Sequence, residues 1–209
     1  MFDIQSPSYF VTPAFHKAAA EGRAVIDPAT LEQVGLRAET TDGEIDAVLA
    51  QVAGAQARWR VLDAKSRAKT LHDLANAIEA EDFTDCAILM SREMGKPYPE
   101  AIGELANCAP IFRYYAEMAR DEAGKVAGTT QAGSLQFAKY EPLGISVHIM
   151  PFNFPVLLMC WTVAASLAAG NGCVVKPAEA TTLSTLEFMK VFAALPDALI
   201  ACVPGGAEV

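Results

Sequence analysis

Two short stretches carry most of the side chains that could do chemistry: Ile149-Met150-Pro151-Phe152-Asn153-Phe154-Pro155 and, further along, Lys176-Pro177-Ala178-Glu179. Asn153 lies between two prolines, and Asn near Pro commonly builds a loop. The same prolines stiffen that loop and fix the side-chain amide. A fixed N–H donor beside a reacting carbonyl is what an oxyanion hole requires. Lys176 directly follows the apolar Val174-Val175, where a lysine is either plain surface or a cation at a strand's end. Glu179 reads as a surface charge or as an acid favoured at a helix N-terminus. Together the stretches put an amide, an ammonium and a carboxylate at the ends of two consecutive strands, where open α/β sheets bind ligands.

The remaining polar residues form no such constellation. His16, His72 and His148 are isolated, and His148 reads as a packed core histidine. Cys86, Cys108, Cys160, Cys173 and Cys202 are scattered in apolar settings, without Cys-x-x-Cys or zinc spacing. Buried free thiols and no metal site are the expectation. No Gly-x-Gly-x-x-Gly opens a helix after a strand. Gly170-Asn171-Gly172 precedes a strand and reads as a helix stop. Gly205-Gly206 is either an ordinary turn or a place where backbone approaches a ligand. Met159, Trp161, Tyr114 and Tyr115 read as packing residues.

The 209 residues are 52% hydrophobic and 20% charged, ample for a core. A net charge of −9 without any basic run argues against nucleic acid, whose phosphates are bound by Lys and Arg. Met1-Phe2-Asp3-Ile4 lacks a signal-peptide pattern. The longest apolar run, Val156 to Ala169, falls short of the ~20 residues of a membrane span. A cytoplasmic protein that does not enter membranes is expected.

These side chains need a scaffold. Val25-Ile26-Asp27-Pro28-Ala29-Thr30 reads as a short strand and turn. Thr41-x-x-Glu44 is a capping box. Ile45, Val48, Leu49 and Val52 then recur at helical spacing, with Trp59 closing the stripe. Leu71, Leu74, Ala75 and Ile78 repeat the pattern. A third helix spans Asp82 to Glu93 and stops at Gly95-Lys96-Pro97. A fourth runs from about Glu100 to Arg120, with Ile111, Tyr114, Tyr115 and Met118 on one face. Gly124 to Pro142 reads as a projecting hairpin. From Gly144 strands and helices alternate: Ile145–Met150, Pro155–Ala169, Cys173–Val175, Thr182–Ala194 (opened by Ser184-x-x-Glu187) and Ala198–Val203. That alternation implies a parallel sheet. The expected class is α/β, with a helical N-terminal layer, the first half of a Rossmann-like parallel sheet and a protruding β-hairpin. One sheet edge is left unpaired unless something covers it.

The motifs also resemble a known family. Pro151-Phe152-Asn153-Phe154-Pro155, then Ala168-Ala169-Gly170-Asn171-Gly172-Cys173-Val174-Val175-Lys176-Pro177-Ala178-Glu179, is similar to the P-W-N-F-P and A-G-N-x-V-V-x-K-P-x-E core of the aldehyde dehydrogenases. Val25 to Thr30 resembles the family's I-N-P-A-T, Glu93 to Pro97 its E-x-G-K-P, and Phe112 to Ala116 the helix that follows. The likeness covers the chain from about Val25 onward. Phe152 stands where Trp is usual, keeping an aromatic wall without the indole N–H. Ala193-Ala194-Leu195-Pro196 lacks the usual Gly before Leu-Pro, which suggests a shortened helix end.

The resemblance implies roles. Asn153 would stabilise the oxyanion formed when a cysteine thiolate attacks the aldehyde. Hydride would then pass to nicotinamide, and water activated by a glutamate would release the acid. Lys176 and Glu179 would hold the adenosine ribose, with Met150, Pro151, Phe152, Pro177, Ala178 and Gly206 completing the cofactor site. A 2′-phosphate about 4 Å from Glu179 would be repelled by roughly 1 to 4 kcal/mol. NAD is therefore expected over NADP, Lys176 offsetting part of the repulsion.

In domain terms, residues 1–123 and 143–209 would form an incomplete cofactor-binding domain, and 124–142 the hairpin of an oligomerisation domain. The catalytic domain, with the G-Q-x-C nucleophile and the glutamate base, would lie outside this chain. The expectation is an NAD-dependent aldehyde dehydrogenase, homodimeric or homotetrameric when whole, of which this stretch alone is inactive. Glu93-Met94-Gly95-Lys96-Pro97 resembles the semialdehyde-oxidising branch. The alternative is a non-catalytic truncated fragment that binds nucleotide or assists assembly.

Overall fold

The computed structural model describes residues 2–18, 22–121, 124–128 and 131–207. The chain begins with two antiparallel hairpins. β1 (Ser8–Val11) and β2 (Ala14–Lys17) are short aromatic runs on either side of Thr12-Pro13. β3 (Arg23–Ile26) and β4 (Gln33–Arg37) flank the Asp27-Pro28 turn, where Asp27 Oδ1 accepts from Ala29 N at 2.8 Å. Of these four strands, only β3 was expected.

A helical layer follows: α1 (Asp42–Trp59), α2 (Ala64–Ala80), α3 (Thr84–Met94), α4 (Tyr98–Ala106) and α5 (Cys108–Met118). Thr41 caps α1, and its capping box with Glu44 is complete. α3 ends where Gly95 takes φ 79°, a left-handed conformation that glycine adopts without steric cost. The single helix expected from Glu100 to Arg120 does not form, because the chain breaks at Asn107. Pro110 explains the break: it has no N–H for the Ala106 carbonyl, and its ring would press on that carbonyl in a continuous helix. The break also shifts the buried stripe of α5 to Cys108, Ala109, Ile111, Phe112 and Ala116. Tyr114 and Met118, expected to pack, are exposed instead.

β5 (Gly124–Ala127) and β6 (Gln136–Lys139) pair antiparallel as the expected hairpin, with Val126 and Phe137 exposed; residues 129–130, between these strands, lie outside the described residues. The α/β half then runs β7 (Ile145–Ile149), α6 (Pro155–Ala168), β8 (Gly172–Lys176), α7 (Thr182–Met189) and β9 (Ile200–Cys202). α7 tightens into a 3-10 turn, Lys190–Ala194, before Leu195-Pro196.

The five-stranded sheet has the order β2-β1-β9-β8-β7. β7, β8 and β9 are parallel, and β1 adds antiparallel to β9 through Phe10↔Cys202 and Val11↔Ala201. The N-terminal hairpin thus covers one edge of the parallel core. β7 is the other edge, where Val147 and Ile149 are exposed. Alternation along β8 sends Cys173 and Val175 into the larger core with α2, α5 and α6, and Val174 into a smaller one with Val48 and Val52 of α1. A Cβ on Gly172 would lie 2.7 Å from Val52 Cγ1, so glycine there lets α1 close onto the sheet. The architecture is the expected α/β class. Among the described residues, no helix is long and apolar enough to cross a membrane.

Candidate functional site

The Asn153 loop leaves the carboxyl end of β7. Met150 N donates to Lys176 O at 2.9 Å, which ties the exits of β7 and β8 together. Residues 151–154 are exposed, and α6 begins at Pro155, whose missing N–H costs nothing at a helix start. No side chain of the loop caps α6. Glu104 on α4 does so, its Oε1 accepting from Val156 N at 2.9 Å and Leu157 N at 3.0 Å. Glu104 is also ion-paired with Lys96, and Lys96 Nζ donates to the Asn153 carbonyl at 2.7 Å and lies 4.1 Å above the Phe154 ring. Lys96 and Glu104 are both buried, so each charge depends on the other. The loop is held at its backbone while the Asn153 side chain stays at the surface.

A second group gathers at the ends of β8 and β9. Lys176 Nζ donates to Gly205 O at 2.9 Å. Glu179 opens a short 3-10 turn, and its Oε2 accepts from Arg37 Nη2 at 2.6 Å. Arg37, at the end of β4, is ion-paired with Glu39 as well, and Glu39 Oε2 accepts from Gly206 N at 3.0 Å. Between these groups and the loop lies a cleft of about 550 Å³ lined by Ile149, Phe152, Lys176, Ala178, Glu179 and Ala207. Its size is that of a small-molecule site.

Phe152, Lys176, Ala178 and Glu179 therefore share one cavity, with Pro151 exposed in the loop above it. Met150 and Pro177 are buried. Gly206 is half-buried, and a Cβ placed on it would lie 3.8 Å from both Glu179 Oε1 and Glu39 Oε2. Lys96 lies in the Glu93 to Pro97 motif, but no site role was read for it, and the motifs did not include Glu104, Arg37 or Glu39. One signal was present: Glu104 falls on the stripe of Ala101 and Leu105, where a charge must find a buried partner.

Other expectations change. Ser184 and Glu187 lie inside α7 and do not cap it; Glu93 of α3 does, accepting from Leu183 N and Ser184 N, each at 2.8 Å. Burial pushes the Glu93 carboxyl up to about 8, against the pull of those amides. Trp161, expected in the core, is 43% exposed and meets Tyr114 and Tyr115 edge-on at 6.4 and 6.0 Å. With Ile111 and Leu157, Tyr114 and Trp161 border an open groove on the α5–α6 face. His148 is buried as expected, with Ser146 Oγ at 2.8 Å from its Nε2, and burial lowers its pKa. All five cysteines are buried and unpaired. Burial raises the thiols of Cys86, Cys160 and Cys202 and pushes Cys173 up to about 12, so these four are not thiolates at neutral pH.

The family model described as "Aldehyde dehydrogenase family" matches residues 15–209, and the chain belongs to that family. Retinaldehyde dehydrogenase 3 of Rattus norvegicus is 33% identical over 97% of this chain and 41% of its own length. Alpha-ketoglutaric semialdehyde dehydrogenase of Bacillus subtilis is 34% identical over 88% of this chain and 38% of its own. A solved structure of PnpE in complex with nicotinamide adenine dinucleotide superposes with a TM-score of 0.89 at 29% identity, covering 98% of this chain and 42% of that one. The chain thus spans about two fifths of the length of the relatives it matches.

Proposed function

We propose that this chain supplies the cofactor cleft and the oxyanion donor of an NAD-dependent aldehyde dehydrogenase, which oxidises an aldehyde to a carboxylic acid. The observation that carries the reading is the convergence of Phe152, the neighbour of Asn153, with Lys176 and Glu179 around one cleft at the carboxyl ends of β7 and β8. The donor set suits a ribose. Glu179 Oε2 is taken by Arg37, while Oε1 has no partner among the described residues. Lys176 has three ammonium hydrogens, more than its bonds to Gly205 O at 2.9 Å and Pro177 O at 3.5 Å use. When bound, a nicotinamide dinucleotide supplies the hydride acceptor. Lys176 and Glu179 hold its ribose, Phe152 walls the cleft, and the Asn153 amide donates to the oxygen that gains charge. The Glu179 carboxylate favours NAD over NADP.

The likeness of Glu93 to Pro97, together with the Bacillus subtilis relative, supports a semialdehyde as substrate. The hairpin of residues 124–142 belongs to an oligomerisation domain in this reading, supported by the exposure of Val126 and Phe137, and the whole enzyme is a homodimer or homotetramer. Five unpaired thiols suit a reducing, cytoplasmic setting. With every cysteine buried, the 209-residue stretch has no nucleophile to offer an aldehyde and is inactive alone. Incubation with NAD and a panel of aldehydes and semialdehydes tests this. The expected result is no NADH; turnover that disappears in Asn153→Ala would contradict it.

A further inference from the structure

The carboxylate that faces the cleft is not free to turn. Glu179 is about half exposed, yet its Oε2 is held at 2.6 Å by Arg37 Nη2. Arg37 is 4% exposed and does not line the cleft; it comes from β4, behind Glu179, and its other terminal nitrogen is ion-paired with Glu39. A buried guanidinium between two carboxylates is pre-organised, since its planar fork loses little freedom on binding. Glu179 therefore both presents one oxygen to the cleft and screens a cation from it.

We propose that Arg37 is the specificity-determining residue for the 2′ position of a bound nucleotide. It fixes Glu179 for a free ribose hydroxyl, and it can meet a 2′-phosphate only when that carboxylate is gone. The proposal rests on the cleft being a nucleotide site. Guanidinium and phosphate make short, charge-assisted contacts, so release of Arg37 should be read as a gain rather than as a lost repulsion.

The test titrates the 209-residue chain with 5′-AMP and 2′,5′-ADP, which differ by one 2′-phosphate, and follows heat. The wild-type chain should prefer 5′-AMP. Glu179→Ser, at an exposed position, should raise the affinity for 2′,5′-ADP relative to 5′-AMP by roughly tenfold or more. Glu179→Gln removes the same charge but keeps an amide oxygen for Arg37, so its gain should be much smaller. Adding Arg37→Gln to Glu179→Ser should abolish the gain. If that double variant fails to fold, the comparison of Ser with Gln at position 179 still decides. Equal gains for Glu179→Ser and Glu179→Gln, or no gain for Glu179→Ser, overturn the role of Arg37. Absence of 5′-AMP binding by the wild-type chain overturns the nucleotide reading itself, and this inference with it.

Discussion

Lys96 Nζ donates to the main-chain carbonyl of Asn153 at 2.7 Å, across 57 positions of sequence. The Asn153 loop is thus shaped by the helical layer as well as by its own prolines. Glu104 completes the clamp by balancing Lys96 and capping the helix that leaves the loop.

Removing Glu104 should therefore be costly. Glu104→Ala leaves Lys96 as an unpaired buried cation and two α6 amides without acceptors, a loss of about 3–5 kcal/mol. Glu104→Gln should cost less, because its amide oxygen can still accept from Val156 and Leu157. Urea unfolding of both variants measures the difference. A Glu104→Ala chain within 1 kcal/mol of wild type would show that the clamp contributes little.

Glu93 makes stability depend on pH. Its carboxyl is pushed up to about 8 in the fold from an ordinary 4.5, so the folded state holds a proton that the unfolded state releases. The contribution is fully present below about pH 4.5 and is lost as pH rises through about 8. Within that window the slope is at most ~1.4 kcal/mol per pH unit. Urea midpoints between pH 5 and 8.5 should fall for wild type relative to Glu93→Gln; parallel profiles would rule the idea out.

Gly95 ends α3 with φ at 79°. Gly95→Ala should destabilise the chain by ~1–2 kcal/mol, the strain of a side chain in the left-handed region. Gly95→Asn should lose less. Thermal melts that rank Ala above Asn would contradict the assignment.

Much of the fold was legible where the pattern is long. α1 and α2 show apolar stripes over several turns, and the capping box at Thr41 marks the start of α1. The strands β1, β2 and β4 were not legible, because four or five residues are too few for alternation to stand out and each needs its partner to form. The break at Asn107 did have a signal in Pro110, outweighed by the apparent stripe running on to Met118. The placement of Asn153, Lys176 and Glu179 at or just beyond the ends of β7 and β8 was legible because loop and strand-end patterns are local. Arg37, Glu39 and Lys96 were not, since each meets its partners through tertiary packing; Glu104 gave one signal, a charge on the apolar stripe of α4, but its partners were not encoded by spacing.

In the proposed function, Lys176 and Glu179 hold the ribose of a nicotinamide dinucleotide. Calorimetric titration of NAD into the wild-type chain, Lys176→Ala and Glu179→Ala tests it most directly. Wild type should show saturable one-site binding, weakened by about tenfold, or ~1.4 kcal/mol, in each variant. Unchanged affinity in both variants, or no saturable binding by wild type, would contradict it.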